Sequence, residues 1–149
     1  MYIVYEGPDR VGKTTTRKLV EKQRDGKDIV IDRFIGSNIV YGIVGLRYTL
    51  EEFQCMYVDD ARFAKMFNAV LIYLYAPMKT ILERMEKDGH EEIGEEKLKM
   101  SLEQYDKYYK RCGYEHKIKI DTSKYNQEKV VEKILKFLKN VERKQRHTN

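Results

Sequence analysis

Tyr2-Ile3-Val4-Tyr5-Glu6-Gly7-Pro8-Asp9-Arg10-Val11-Gly12-Lys13-Thr14 carries an apolar, β-type run straight into a Gly-x-x-x-x-Gly-Lys-Thr sequence. A strand, a glycine loop and a helix in that order predict a phosphate cradle. Gly7 and Gly12 let the backbone curl so that successive N–H groups face an anion, and the following helix adds the positive end of its dipole. Lys13 supplies a mobile point charge for β- and γ-phosphates, the Thr14 hydroxyl suits Mg²⁺, and Thr15 continues the ATP-binding turn. The bland alternative is a glycine turn ahead of a lysine-rich helix, and the flanking strand and helix argue against it.

Working outward, short apolar runs alternate with longer segments of helical period, the pattern of a parallel α/β sheet. Strands are expected over Tyr2 to Glu6, Ile29 to Arg33, Val70 to Tyr75 and Lys117 to Asp121. Helices are expected over Lys13 to Arg24, Thr49 to Phe67, Met78 to Lys87, Glu95 to Arg111 and Asn126 to Val141. Thr49 with Glu51 and Glu52 marks one helix start, and Gly113 is the expected close of the fourth helix. Val130, Val131, Ile134, Leu135, Leu138 and Val141 form one stripe on the last helix, which should dock on the sheet. The expected fold class is three-layer α/β of the P-loop NTP hydrolase type: a parallel sheet of about four to five strands with helices on both faces.

The 149 residues suit one domain spanning 1–149, with no linker or repeat. The segment 87–94, centred on Asp88-Gly89-His90, is polar and reads as a lid. The longest strongly apolar run, Ala69 to Ala76, is too short to span a bilayer, which excludes a membrane partner. Met1 leads directly into the first strand, leaving no room for a signal peptide, and Cys55 and Cys112 form no CxxC pair; both features point to the cytoplasm. The net charge of +5 is concentrated in the last helix and its basic tail at 142–149, so the rest of the chain is nearly neutral. That distribution reads as a solvated helix end and argues against a nucleic-acid partner.

The second strand ends in Asp32-Arg33-Phe34, beside the loop in the strand order expected of this fold. Asp32 suits Mg²⁺, directly or through water, and Arg33 suits an incoming anion; the alternative is a plain ion pair. Asp59-Asp60 is expected to lie on a solvated helix face.

Glu6-Gly7-Pro8-Asp9-Arg10-Val11-Gly12-Lys13-Thr14 followed by Asp32-Arg33-Phe34 and by Ser37 and Tyr41 matches EGxDxxGKS/T coupled to DRY/F/H-x-x-S-x-x-x-Y. In this combination the chain resembles the thymidylate kinases, over most of its length and in the right order. The resemblance implies ATP as phosphoryl donor, Mg²⁺, a deoxynucleoside monophosphate acceptor with dTMP favoured, and a homodimer packed through helices near 49–67. It implies that Asp9 faces the deoxyribose 3′-hydroxyl, Arg33 the acceptor phosphate, Asn38 the thymine edge, and that Ser37 belongs to the same acceptor side. Tyr41 would pack under the sugar, where a ribose 2′-hydroxyl would clash. Arg10 matches members with a catalytic arginine inside the loop, alongside Lys13, Arg33 and Asp32. Arg84 would lie at the adenine, and Ile120 to Lys124, with Ser123 and Lys124, would form the adenine-side loop. Each has a structural alternative: Ser37 and Asn38 as helix caps, Tyr41 as core, Arg84 as a solvated helix residue.

The departure lies between Arg24 and Asp28. Thymidylate kinases carry there an aromatic residue that stacks on thymine and an arginine that supports the acceptor phosphate, and related deoxynucleoside kinases carry a base carboxylate. This chain has only Asp25-Gly26-Lys27. Arg47, Tyr48, Phe53 and Tyr57 are candidates to replace the missing wall, with core packing as the alternative. The competing functions are a deoxynucleoside kinase, a nucleotide-binding module without catalysis, and, more weakly, a polynucleotide 5′-kinase.

Overall fold

The computed structural model describes residues 1–89 and 94–148, apart from the side chains of 147 and 148. In chain order the elements are β1 (Tyr2–Glu6), α1 (Lys13–Gln23), β2 (Ile29–Asp32), α2 (Ile35–Val44), α3 (Leu50–Met66), β3 (Val70–Tyr75), α4 (Met78–Asp88), α5 (Glu95–Arg111), β4 (His116–Asp121) and α6 (Gln127–Thr148). The four strands form one parallel sheet in the order β2-β1-β3-β4.

Alternation along the strands builds two apolar layers, because successive side chains leave a strand on opposite faces. Ile3 and Tyr5 of β1 and Val70, Ile72 and Leu74 of β3 pack with Val20 of α1, Ile81 of α4, and Ile134 and Leu138 of α6. Val4 of β1 and Leu71 and Tyr73 of β3 pack with Ile39 of α2, Ala64 of α3, and Tyr105 and Tyr108 of α5. Helices therefore cover both faces, as the hydrophobic pattern requires. The α6 stripe docks as expected, but the helix does not stop at Val141: it continues to Thr148, so the basic tail is largely helical. No helix among the described residues is long and apolar enough to cross a membrane.

Helix α2 is an addition to the five helices the periodicity predicts. Its sequence, Ile-Gly-Ser-Asn-Ile-Val-Tyr-Gly-Ile-Val, combines two glycines with β-branched residues and has weak intrinsic helix propensity. A buried carboxylate compensates. Glu6, at the end of β1, accepts the N–H groups of Phe34 (2.9 Å) and Ser37 (3.1 Å), satisfying donors at the helix start that no cap residue within α2 reaches. The glycines are needed for packing: a Cβ on Gly36 would sit 2.5 Å from the Tyr108 ring, and one on Gly42 would sit 2.3 Å from Tyr48.

Two other expectations are corrected. Helix α5 ends at Arg111 with Cys112 as its cap, and Gly113 is not a left-handed terminator; a Cβ there would lie 2.6 Å from that of Ala61. Asp60 is fully buried rather than solvated, whereas Asp59 is exposed and pairs with Arg62. The short connection at 24–28 closes on itself. Asp25 and Gly26 take positive φ, and Arg24 bonds both Asp28 and Glu142 of α6, so the turn is bound to α6 and forms no element of its own. The lid expected over 87–94 falls partly outside the described residues: Lys87 and Asp88 end α4, Gly89 caps it in the left-handed region, and residues 90–93 are not described.

Candidate active site

The phosphate loop joins β1 to α1 and lies beneath the end of β3. Gly7 has φ 142°, and a Cβ on it would sit 2.1 Å from the Leu74 carbonyl oxygen, so only glycine lets the loop run this close to the sheet. Gly12 has φ 77° and caps α1 with no side chain over its amides, so the first N–H groups of the helix remain available to an anion. Lys13 is nearly buried, and its Nζ lies 3.9 Å from Asp32 Oδ1. Burial, followed by repulsion from Arg33, lowers its pKa, while Asp32, Asp9 and Glu6 oppose the shift. Thr14 and Thr15 are exposed at the loop mouth, and Thr16 is buried, its hydroxyl accepting from Gln127 Nε2 at 2.7 Å.

Parallel pairing with Tyr5 opposite Asp32 puts the end of β2 beside the loop. Asp32 lies between two cations, with Lys13 on one side and Arg17 Nε at 3.5 Å on the other. Arg33 adopts φ 60°, uncommon for a residue with a Cβ, and its guanidinium donates to Asp9 and lies 5.6 Å from the Tyr41 ring centre. Asp9, Arg33 and Tyr41 are thus brought together. Asn38 is exposed on α2. Ser37 is buried, donating to Glu6 and lying 3.0 Å from the Tyr105 hydroxyl, so its side chain supports the site from below. Burial raises the Glu6 pKa, and the hydrogen bonds from Ser37 and Phe34 oppose that shift.

The other wall comes from α4 and the β4–α6 connection. Arg84 donates to the Arg10 carbonyl at 2.8 Å and to the Thr122 carbonyl at 3.0 Å, tying the phosphate loop to that connection. Arg10, also at positive φ, directs its guanidinium to Asp88 at 2.8 Å. Ser123 and Lys124 turn instead toward Asp121, at 2.6 and 3.8 Å.

These pieces enclose a cleft of about 1020 Å³. Of the residues singled out in the sequence, Asp9, Arg10, Gly12, Lys13, Thr14, Thr15, Asp32, Arg33 and Arg84 line it; Gly7, Ser37, Asn38, Tyr41, Ser123 and Lys124 do not. Asp88 and Thr122 line it from within the stretches read as the lid and the adenine-side loop, while Tyr125, Asn126 and Gln127 also line it and were missed. Arg17 had a readable signal, lying one helical turn after Lys13; Gln127, 111 positions from its Thr16 partner, had none. Arg47, Tyr48, Phe53 and Tyr57 do not reach the cleft: Tyr48 stacks edge-on against Phe53, and Tyr57 lies against Tyr108.

No protein-family model matches the chain. A curated relative does: SPbeta prophage-derived uncharacterized protein YorR of Bacillus subtilis strain 168 is 30% identical over 129 residues, covering 84% of this chain and 76% of the relative. The chain belongs to the YorR family. Among solved structures, B. subtilis YorR in complex with phosphorylated GDP superposes with a TM-score of 0.73 at 22% identity, covering 96% of this chain and 98% of that one. Deoxyadenosine kinase from M. mycoides, solved with the products dCMP and dCDP, gives a TM-score of 0.66 at 18% identity over 94% of this chain and all of that one. Like them, this YorR-family chain has a P-loop, nucleotide-kinase-like α/β fold.

Proposed function

We propose that the chain transfers the γ-phosphoryl group of ATP to a deoxynucleoside monophosphate, with dTMP the favoured acceptor. The carrying observation is how the cleft's carboxylates are engaged. Asp9 is held by Arg33, Asp32 by Lys13 and Asp88 by Arg10, so among the described residues every carboxylate lining the cleft already faces a cation. A hydroxyl acceptor needs a free base within hydrogen-bond reach, whereas a phosphate acceptor is already ionised at neutral pH. A cleft rich in cations and without a free base suits the phosphate acceptor. The nucleotides held by the YorR and deoxyadenosine kinase structures support a nucleotide ligand, and the guanine in YorR's complex puts guanine monophosphates in the test.

In this reading Lys13, Arg10 and the N-terminal amides of α1 hold and neutralise the donor phosphates, and Arg33 holds the acceptor phosphate, with Asp9 fixing the guanidinium. Tyr41 supports Arg33 from beneath, and Arg84 holds the loop in register with the nucleoside side of the cleft. The oxygen donors of Thr14 and Asp32 fit Mg²⁺, which takes few protein ligands and draws the rest from phosphate and water. Bound there, the ion would neutralise charge developing on the transferred phosphoryl group. The test is ADP release with Mg-ATP across all nucleosides and nucleoside monophosphates, ribo and deoxy. Turnover with dTMP is expected. Turnover confined to nucleosides would assign a nucleoside kinase, and tight ATP binding without turnover would assign a binding module; either result overturns the reading.

A further inference from the structure

A second basic groove lies outside the catalytic cleft, along the open edge of the sheet. β4 is the last strand in the order β2-β1-β3-β4, and α6 runs beside it. Between them is a groove of about 450 Å³, within the range that takes a small ligand. Lys119, Lys124, Lys133 and Lys136 line it with a single carboxylate, Asp121, which is nearly buried and already accepts from Ser123 while pairing with Lys124.

Two of the ammonium groups are held in place by aromatic faces. Lys119 Nζ lies 4.3 Å from the Tyr75 ring centre on the strand side, and Lys133 Nζ lies 4.3 Å from the Tyr125 ring centre on the helix side. Such contacts orient a cation without neutralising it. Lys119 is also paired with Asp106, but no carboxylate among the described residues lies within 4.0 Å of Lys133 or Lys136. With Lys119 paired to Asp106 and Lys124 to Asp121, Lys133 and Lys136 are the two positive charges facing the groove without a carboxylate within 4.0 Å among the described residues, and a chain of phosphates would offset them. The ring faces are occupied by the lysines, so recognition falls on the phosphates.

We propose that this groove binds the polyphosphate chain of a free nucleoside triphosphate, as a second site separate from the catalytic cleft. Tyr125 lines both cavities, so a ligand that draws Lys133 toward its phosphates frees a ring that also forms part of the cleft wall. That shared side chain is the route by which occupancy of the groove would alter nucleotide affinity in the cleft.

Calorimetric titration of the full chain with ATP, without added acceptor, tests the proposal. Two sites are expected, the second weakening as salt is raised. Lys133→Glu combined with Lys136→Glu should remove the second site or weaken it roughly tenfold or more, while the first site is still present and changes only by what the shared Tyr125 transmits. Lys13→Ala should weaken the first and spare the second. Inorganic tripolyphosphate should compete at the second site, because the phosphates are what the groove reads. One site only, a second site indifferent to the double reversal, or a single-stranded oligonucleotide binding the groove more tightly than ATP would each overturn the proposal. None of these outcomes depends on turnover, so failure of the catalytic reading and failure of this one remain distinguishable.

Discussion

Replacing Asp60 with asparagine should stabilise the protein at pH 8 and not at pH 4. Asp60 is wholly buried, with the hydroxyls of Tyr108 (2.8 Å) and Tyr114 (3.2 Å) as its partners, and no cation among the described residues lies within ion-pairing distance. Burial raises its pKa from 3.8 to about 6, the two tyrosine hydrogen bonds opposing the rise. A group whose folded pKa is raised stabilises the protonated folded state. Its contribution is fully present below the unfolded value and is lost as pH rises through the folded one. The shift of about two pKa units corresponds to roughly 3 kcal/mol lost between pH 4 and pH 7, at 1.36 kcal/mol per unit. Asparagine keeps both contacts, accepting from one tyrosine and donating to the other as a protonated carboxyl would, and the charge-assisted strength of the tyrosine bonds is already contained in the net shift. The expectation is a gain of about 3 kcal/mol at pH 8, raising Tm by roughly 6–12 °C for a chain of this size. At pH 4 there should be no gain. Urea unfolding followed by far-UV circular dichroism from pH 4 to pH 8 measures the difference directly. A difference between variant and parent that stays constant across that range would refute the argument, because only the ionisation of Asp60 makes it depend on pH. Asp60→Ala is the control: it leaves both tyrosine hydroxyls without their acceptor, so it should be less stable than Asp60→Asn by about 2 kcal/mol at every pH while showing the same pH-dependent difference from the parent.

Three other outcomes follow from the site and the packing. Lys13→Ala should lower turnover by about two orders of magnitude or more, by removing a cation from the donor phosphates, with the folded state intact by circular dichroism; near-normal turnover would dismiss the role. Arg33→Ala should act mainly on the monophosphate acceptor, raising its KM while ATP affinity changes little, since the guanidinium sits at the Asp9 and Tyr41 side of the loop rather than at the α1 amides and Lys13 proposed to hold the donor. Unchanged acceptor kinetics would make Arg33 structural. Gly113→Ala should cost about 1–3 kcal/mol in urea unfolding, because the new Cβ would sit 2.6 Å from that of Ala61.

Much of the architecture was legible because it rests on periodicity. The four strands fall within a residue of the runs that predict them, and Thr49 closes a capping box with Glu52, accepting its N–H at 3.3 Å and donating its own to the Glu52 carboxylate at 2.7 Å. Helix α2 was not legible, since what stabilises its first turn is a carboxylate from another element, 28 residues before Phe34. Asp60 was misread for a similar reason. Two adjacent aspartates on a charged helix normally face water, and only the fold reveals that Tyr108 and Tyr114 close over one of them. Within the site, the loop and Asp32-Arg33 were readable as motifs. The far wall was legible only in part: Arg84 and the stretch holding Thr122 were singled out by resemblance, but Tyr125 to Gln127 acquire their place through the entry of α6, not through any local pattern.

Glu6 links these observations. It ends β1, so the phosphate loop starts at the next residue, and its buried carboxylate binds the N–H of Phe34, the residue after Arg33. One side chain therefore sets the spacing between the loop proposed to hold the donor and the arginine proposed to hold the acceptor. Arg84 makes the matching tie on the other side, from the Arg10 carbonyl to Thr122. With the loop fixed at both flanks by groups that belong to the sheet and α4, the short connection at 24–28 leaves the placement of Lys13, Asp32 and Arg33 untouched. That is the physical reason a chain this short can keep the arrangement proposed for phosphoryl transfer. In that proposal acceptor preference would be set at the side beyond Arg33, Asn38 and Tyr41, rather than at the loop.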